Sequence, residues 1–401
     1  MPIKLALVSA FPPGMQSLNE YGLHLAKEFA SRSDVSEVVV ISDTTDAATA
    51  ELDLGQKISV QRIWSFNDVK SAPKILSTLR RTKCDAVIWN LQTATFGDKE
   101  IPAALGLIAP AIARLMGIPS GVIAHNILQG VDLESTTLKG QPIRQAVVRG
   151  AGKLVTSLML SATYTTVTLR SYADLLSRSH PTKRVYLVPH GTFDTQSSET
   201  PSHARREKRI VTMGKFGTYK RLETLLEAFD IVRKRPGLES YELVVAGTDH
   251  PNAKGYLKKV AASRESDPSV HFRGYLAEDE IPEFFSNARL SVFDYSATTG
   301  SSGVLHQTAS YGAAPVFPSI GDFVDVCREE GLGGFNYLPN DANDMARVMI
   351  HALENPGTAE QVANSNKEAS LELPLAKVAE FHVRGMTEFA KRTATEDREI
   401  A

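Results

Sequence analysis

At 401 residues the chain is long for one hydrophobic core and comfortable for two domains. Its 42% hydrophobic and 22% charged residues describe an ordinary soluble α/β protein, and a net charge of −2 argues against nucleic acid as a partner, because duplex binding needs a concentrated basic face. Cys84 and Cys327 stand far apart without metal-ligand spacing, which points to a reducing compartment and away from a structural zinc.

The opening MPIKLALVSAF is too short and too quickly polar for a signal peptide and reads as a first strand. Short β-branched or aromatic runs then alternate with amphipathic helices. Strands are predicted at Lys4–Ala10, Glu37–Ser42, Ile58–Ile63, Asp85–Leu91, Gly121–His125, Tyr164–Leu169 and Val185–Val188. A second set follows at Arg209–Met213, Glu242–Ala246, Val270–Arg273, Leu290–Tyr295, Ala314–Pro318 and Phe335–Leu338. Helices are predicted at Tyr21–Ser31, Ala72–Thr82, Arg221–Arg235, Lys254–Ser263, Asp279–Ser286, Val304–Tyr311 and Asp341–Glu354. Such alternation builds parallel sheets with helices on both faces. Ile101–Ala124 comes nearest to a membrane span of ~20 residues, but Pro102, Pro110, Arg114 and Pro119 break it.

The polar stretch Asp194–Lys208 reads as a linker. The fold class expected is therefore α/β with two doubly wound, Rossmann-like domains, residues 1–193 and 209–374, facing across a cleft. The terminal segment 375–401 is helical without a following strand and is expected to brace the first domain.

Ligands of open parallel sheets bind beyond the carboxyl ends of the strands, so the residues after each strand carry the functional reading. The first is the loop Gly14–Tyr21. Gly14 supplies a flexible turn, Ser17 and Asn19 are good N-cap residues, and Glu20 and Tyr21 open the helix. Such a loop holds a diphosphate or an acceptor hydroxyl, or is an ordinary turn. His125 ends the strand GVIAH and can bond a sugar hydroxyl or share a proton, unless it is simply tied to neighbouring backbone. His190, near the domain boundary, suits a hinge better than chemistry.

In the second half, RIVTMGKFGTYK places Gly214, Lys215 and Lys220 at a strand end, with Arg221 beside them. Two ammonium groups there neutralise a leaving diphosphate. Arg273, Gly274 and Tyr275 end another strand, where a glycine admits a flat base and a tyrosine can stack on it. The segment LSVFDYSATTGSSGVLHQTASYGAAPV carries the strongest signal. Its loop Thr298–Gly303, leading into Val304, Leu305 and Gln307, joins a buried strand to a helix, a ready site for phosphate. No Walker loop, nucleophile elbow or metal-spaced His/Cys set occurs, so no metal or other cofactor is expected.

These segments, taken in order, resemble the GT-B glycosyltransferases, and among them the retaining, family-4-type enzymes. The resemblance rests on NEYGLHLAKEFA after the first strand and on Arg184–Gly191. It extends over Gly214–Phe229, Val270–Ser296 and Ala309–Val316, and so covers nearly the whole chain. It implies transfer of a sugar from a nucleotide-sugar donor on the second domain to a hydroxyl acceptor on the first. Lys215 stands where the family usually has arginine, and Lys220 at its phosphate-binding lysine. Thr298–Leu305 would wrap the donor with backbone amides, and His125 matches the histidine near the reacting sugar. The family's two glutamates, spaced Glu-x7-Glu, are Thr299 and Gln307 here. In the family the leaving phosphate itself helps to deprotonate the acceptor, so their loss leaves transfer open. Two further readings stay open: a catalytically inactive nucleotide-sugar-binding or partner protein on the same fold, and a sugar-nucleotide epimerase.

Cytoplasmic is the simple reading of location. A peripheral contact with the inner face of a membrane is a further expectation at residues 143–160, where Arg144, Arg149 and Lys153 interleave with apolar residues.

Overall fold

The computed structural model describes residues 2–14, 16–46, 53–127, 142–193, 201–297 and 300–399, except for the side chains of 142–148 and 389–399. The chain divides into unit 1, Met1–His190 with Leu375–Ala401, and unit 2, Gly191–Pro374.

Unit 1 is built on seven strands: β1 (Ile3–Val8), β2 (Val35–Asp43), β3 (Ile58–Trp64), β4 (Ala86–Leu91), β5 (Ser120–Ala124), β6 (Tyr164–Val167) and β7 (Val185–Leu187). They pair only in parallel, in the order β3-β2-β1-β4-β5-β6-β7. Between them run α1 (Asn19–Ser31), α2 (Ser71–Thr82), α3 (Glu100–Leu115), α4 (Pro142–Met159) and α5 (Arg170–Ser179). The central strands are apolar without alternation because both faces are covered; Leu5, Ala6, Leu7, Val8, Val87, Ile88 and Trp89 are fully buried. The strand order reverses between β1 and β4, so the ends of β1, β4 and β5 form the natural ligand-binding edge.

The run Ile101–Ala124 resolves into α3 and β5. Pro110 lies within α3, and Met116 to Pro119 separate the two elements. No helix among the described residues is long and apolar enough to cross a membrane.

Unit 2 has six strands: β8 (Arg209–Phe216), β9 (Glu242–Asp249), β10 (Val270–Gly274), β11 (Leu290–Val292), β12 (Ala314–Pro318) and β13 (Phe335–Tyr337). They too are all parallel, in the order β10-β9-β8-β11-β12-β13. Its helices are α6 (Glu223–Arg233), α7 (Tyr256–Ala262), α8 (Ile281–Ser286), α9 (Gly303–Ser310), α10 (Gly321–Glu330), α11 (Ala342–Glu354) and α12 (Pro356–Glu372). Successive residues of β8 and β9 enter two cores. Ile210, Leu243 and Val245 join Leu225, Phe229 and Met349 on one face. Val211, Val244 and Ala246 join Phe284, Phe285 and Ala313 on the other.

The last helix, α13 (Leu375–Glu399), belongs to unit 1 and packs on α1 and β5. The linker reading of 194–208 needs correction over its described part. Residues 201–208 belong to unit 2 and are anchored in it by two buried side chains, His203 and Arg206, while most of their neighbours are exposed. Arg206 donates to the carbonyls of Pro201, Ala288 and Gly312. The polarity that suggested solvent there serves a buried guanidinium that bonds backbone. Residues 194–200 lie outside the described residues.

Candidate functional site

In unit 2 the site begins where β8 runs out. Gly217 N–H closes the turn on Lys220 O at 2.8 Å, and Lys220 pairs with Tyr295 through an isolated antiparallel bridge. The backbone thereby fixes where the lysine stands, and its Nζ lies 4.6 Å from the centre of the Tyr295 ring. Lys215 pairs in register with Thr248 on β9. His250 follows β9, and its imidazole is held below the usual histidine range by burial and then by the charges of Lys215 and Lys220. The two ammonium groups and this ring therefore share one electrostatic neighbourhood. Gly214 and Gly247 make the close backbone contact beneath them. Gly247 has φ +131°, and a Cβ there would lie 1.9 Å from Gly214 O, so only glycine serves.

The loop after β11 is fastened at two points. Buried Asp294 accepts from Leu225 N–H at 3.1 Å and so ties the strand end to α6; burial raises its carboxyl above the usual range. Gly300 N–H donates to Asp322 Oδ2 at 2.7 Å, and the neighbouring Phe323 ring stands 5.8 Å from that of Tyr295. Ser302 caps α9, its Oγ accepting from Leu305 N–H. Gly303 and Val304 thus open the helix in its first turn, where N–H groups lack intrahelical acceptors. The hydroxyls of Thr218 and Ser301 are buried without a hydrogen-bond partner among the described residues. Buried polar atoms are usually satisfied, and two orphans beside one lysine and one helix start suit a polar ligand.

Several expectations change here. Leu305 does not present itself to a ligand: its side chain is fully buried and its N–H is taken by Ser302. Gln307 is also buried, at 8% exposure. Thr298 and Thr299 lie outside the described residues. Arg273 is paired with Glu280 at 3.1 Å, at the end of the edge strand β10; Gly274 takes φ +73° and Tyr275 is half-exposed beside it.

One feature of α9 had no sequence signal. His306 is buried, with Nδ1 2.8 Å from Ser302 O and Nε2 2.6 Å from Glu330 Oε2. Both ring nitrogens face oxygen atoms, a setting that favours the protonated ring. Burial opposes the charge, but Glu330 and the Ser302 carbonyl outweigh it and raise the pKa. The partner lies 24 residues away on α10, and no spacing rule joins the two.

In unit 1, Gly14 N–H donates to Phe11 O, and a Cβ on Gly14 would lie 2.5 Å from Asp43 Oδ2. The N-cap expectation for Ser17 and Asn19 fails. Leu18 occupies the cap in the left-handed region, Ser17 is exposed, and Asn19 begins α1 with its Nδ2 donating to Gly14 O. The asparagine thus ties the loop down from the first residue of the helix. Glu20 lies in the first turn of α1. Tyr21 donates to His190 O at 2.8 Å, and its ring meets those of His125 and His190 at 4.6 and 4.7 Å. His190 therefore joins a buried ring cluster, which the hinge reading missed.

His125 is 5% exposed. Its Nε2 lies 2.7 Å from Asn90 Oδ1, and burial holds its pKa down at about 3, so the ring is neutral. On α4, Arg149, Lys153 and Leu154 are exposed, whereas Thr156 and Met159 are buried. The side chain of Arg144 lies outside the described residues. No group of three or more His, Cys, Asp or Glu placed to hold a metal ion is found among the described residues.

Residues 207–355 match the family model described as "Glycosyl transferases group 1". No curated protein sequence matches the chain. Among solved structures, HepE from Anabaena in complex with UDP is similar at 14% identity and TM-score 0.65, over 96% of this chain and 100% of that one. Sucrose-phosphate synthase from Thermosynechococcus elongatus is similar at 15% identity and TM-score 0.70, over 99% of each chain. WaaG, a glycosyltransferase involved in lipopolysaccharide biosynthesis, is similar at 13% identity and TM-score 0.68, over 96% of this chain and 100% of that one. At such identities the likeness speaks for the fold. Residues 207–355 are therefore similar to group 1 glycosyltransferase domains, and the whole chain has the GT-B glycosyltransferase fold.

Proposed function

We propose that this chain transfers a sugar from a nucleotide-sugar donor bound on unit 2 to a hydroxyl acceptor, with retention at the anomeric carbon and without a metal. The observation that carries the reading is Lys220, pinned by backbone pairing beside the start of α9 with orphaned buried hydroxyls around it. Lys215, Lys220 and the amides of Gly303 and Val304 stabilise the diphosphate, so its negative charge needs no cation. In the transfer the acceptor oxygen bonds the anomeric carbon and the sugar–phosphate C–O bond breaks. The electron pair goes to the diphosphate, which takes the hydroxyl proton. His125 is the unit 1 group assigned to the sugar's hydroxyls. Retention rests on the resemblance alone. An acceptor embedded in an anionic membrane fits the exposed Arg149, Lys153 and Leu154 of α4. HepE has been solved with UDP-glucose, which makes uridine donors the first to try.

A second reading, a nucleotide-sugar-binding protein without turnover, is favoured by Thr299 and Gln307 standing where carboxylates are expected.

Calorimetric titration with UDP, GDP and ADP decides the donor site. One nucleotide is expected to bind, and Lys220→Ala to weaken it about tenfold or more, as loss of a charge-assisted contact does. Equal affinity in Lys220→Ala would remove the lysine from the site. Binding with no nucleotide release from UDP-glucose, GDP-glucose or ADP-glucose, with water or added sugars as acceptor, would favour the second reading.

A further inference from the structure

The ends of β1, β4 and β5 carry three polar residues in a row across the sheet: Ser9, Asn90 and His125. All three are buried. Ser9 Oγ donates its one proton to Ala10 O at 2.8 Å. Toward Asn90, 2.9 Å away, the serine can therefore only accept, which assigns the near side of the Asn90 amide as Nδ2. The other side of the amide is then Oδ1, an acceptor with no proton to give. It lies 2.7 Å from His125 Nε2. The proton of the neutral ring must sit on Nε2, and Nδ1 keeps its lone pair. Nδ1 makes no hydrogen bond among the described residues, and the titratable rings that face His125 are Tyr21, His190 and His382.

We infer that Asn90, oriented by Ser9, is a positioning residue that locks His125 in the Nε2–H form and so keeps Nδ1 as a hydrogen-bond acceptor for a sugar hydroxyl. The link to sugar hydroxyls rests on the site reading of His125; the proton placement rests on geometry alone. A carboxylic acid at position 90 would have another effect. Its charge beside Nε2 would favour a second proton on the ring, at Nδ1, and abolish the acceptor.

The test is nitrogen-15 spectroscopy of the histidine rings in the full-length protein, with the His125 signals assigned as those lost in His125→Gln. Unsubstituted protein is expected to show the Nε2–H pattern at neutral pH, and Asn90→Asp the doubly protonated pattern. UDP release from UDP-glucose by Asn90→Asp is expected to fall about tenfold or more at pH 6 and to recover as pH rises. A merely structural asparagine would give no such acid limb. An Nδ1–H pattern in the unsubstituted protein overturns the inference without any variant having to fold. An unchanged His125 spectrum in folded Asn90→Asp overturns it equally. An Nε2–H pattern together with full UDP release in His125→Gln would leave the proton placement standing and instead remove His125 from the site.

Discussion

Lys220 is placed by its own peptide group rather than by a neighbouring carboxylate, because the bridge to Tyr295 fixes the backbone and the ring carries the ammonium. Retaining charge without this fit is therefore insufficient. Lys220→Arg is expected to lose nucleotide affinity by several-fold where Lys220→Ala loses it about tenfold, read by calorimetry. Gly247 supports the same corner through conformation. With φ +131° and a Cβ position 1.9 Å from Gly214 O, Gly247→Ala should cost at least about 2 kcal/mol, read as a lowered urea midpoint. The location of Lys220 and of Gly300–Gly303 next to strand ends was legible in the sequence because the signal is local, whereas Lys215, expected after the strand, lies within β8, which runs on to Phe216. The His306–Glu330 pair was not, since its partners meet only once α9 and α10 are packed.

At the scale of elements, α9 is a short helix that holds a buried ion pair, His306 with Glu330 of α10. Removing one partner of a buried pair typically costs about 3–5 kcal/mol, so Glu330→Ala should destabilise the chain by an amount of this order, measurable in urea. The raised pKa of His306 sets the sign of a pH effect. Its stabilisation is fully present below the unfolded value of 6.5 and is lost as pH rises through the folded value. Stability should therefore decline above pH 6.5 more in the unsubstituted protein than in His306→Gln. Legibility among elements followed side-chain size. The strands announced themselves through continuous Val, Ile and Leu runs. Helix α12 did not, because it packs through Ala359, Ala363, Asn366 and Ser370, small or polar residues that leave no apolar stripe. Pro102 and Pro110 hid α3 in a similar way, although both are accommodated within the helix.

For the whole molecule, the balance of histidines differs between the units. His125 and His382 in unit 1 are held by burial to about 3, and His203 in unit 2 to about 4. From pH 6.5 downward the unfolded chain takes up protons that these folded rings refuse. Each group then removes up to about 1.4 kcal/mol per pH unit until its folded value is reached. In unit 2 the raised His306 has its full effect already below pH 6.5 and adds no loss in acid. Acid should therefore undermine unit 1 first. Both tryptophans, Trp64 and Trp89, are fully buried in unit 1, so their emission reports that unit alone. Its denaturation midpoint should fall steeply below pH 6, and less steeply in His382→Gln.

The two cysteines are distributed one to each unit, Cys84 in unit 1 and Cys327 in unit 2, each about 8% exposed. Burial raises both thiol pKa values, that of Cys327 to about 12, so neither is a reactive thiolate in the closed protein. Each sulfur becomes available to an alkylating reagent only when its own surroundings open. The native chain thus contains two chemical clocks, one for each half. A single pulse of iodoacetamide followed by peptide mass analysis would time the opening of both halves in the same tube, with no engineered label. Adding a nucleotide would then show which clock slows.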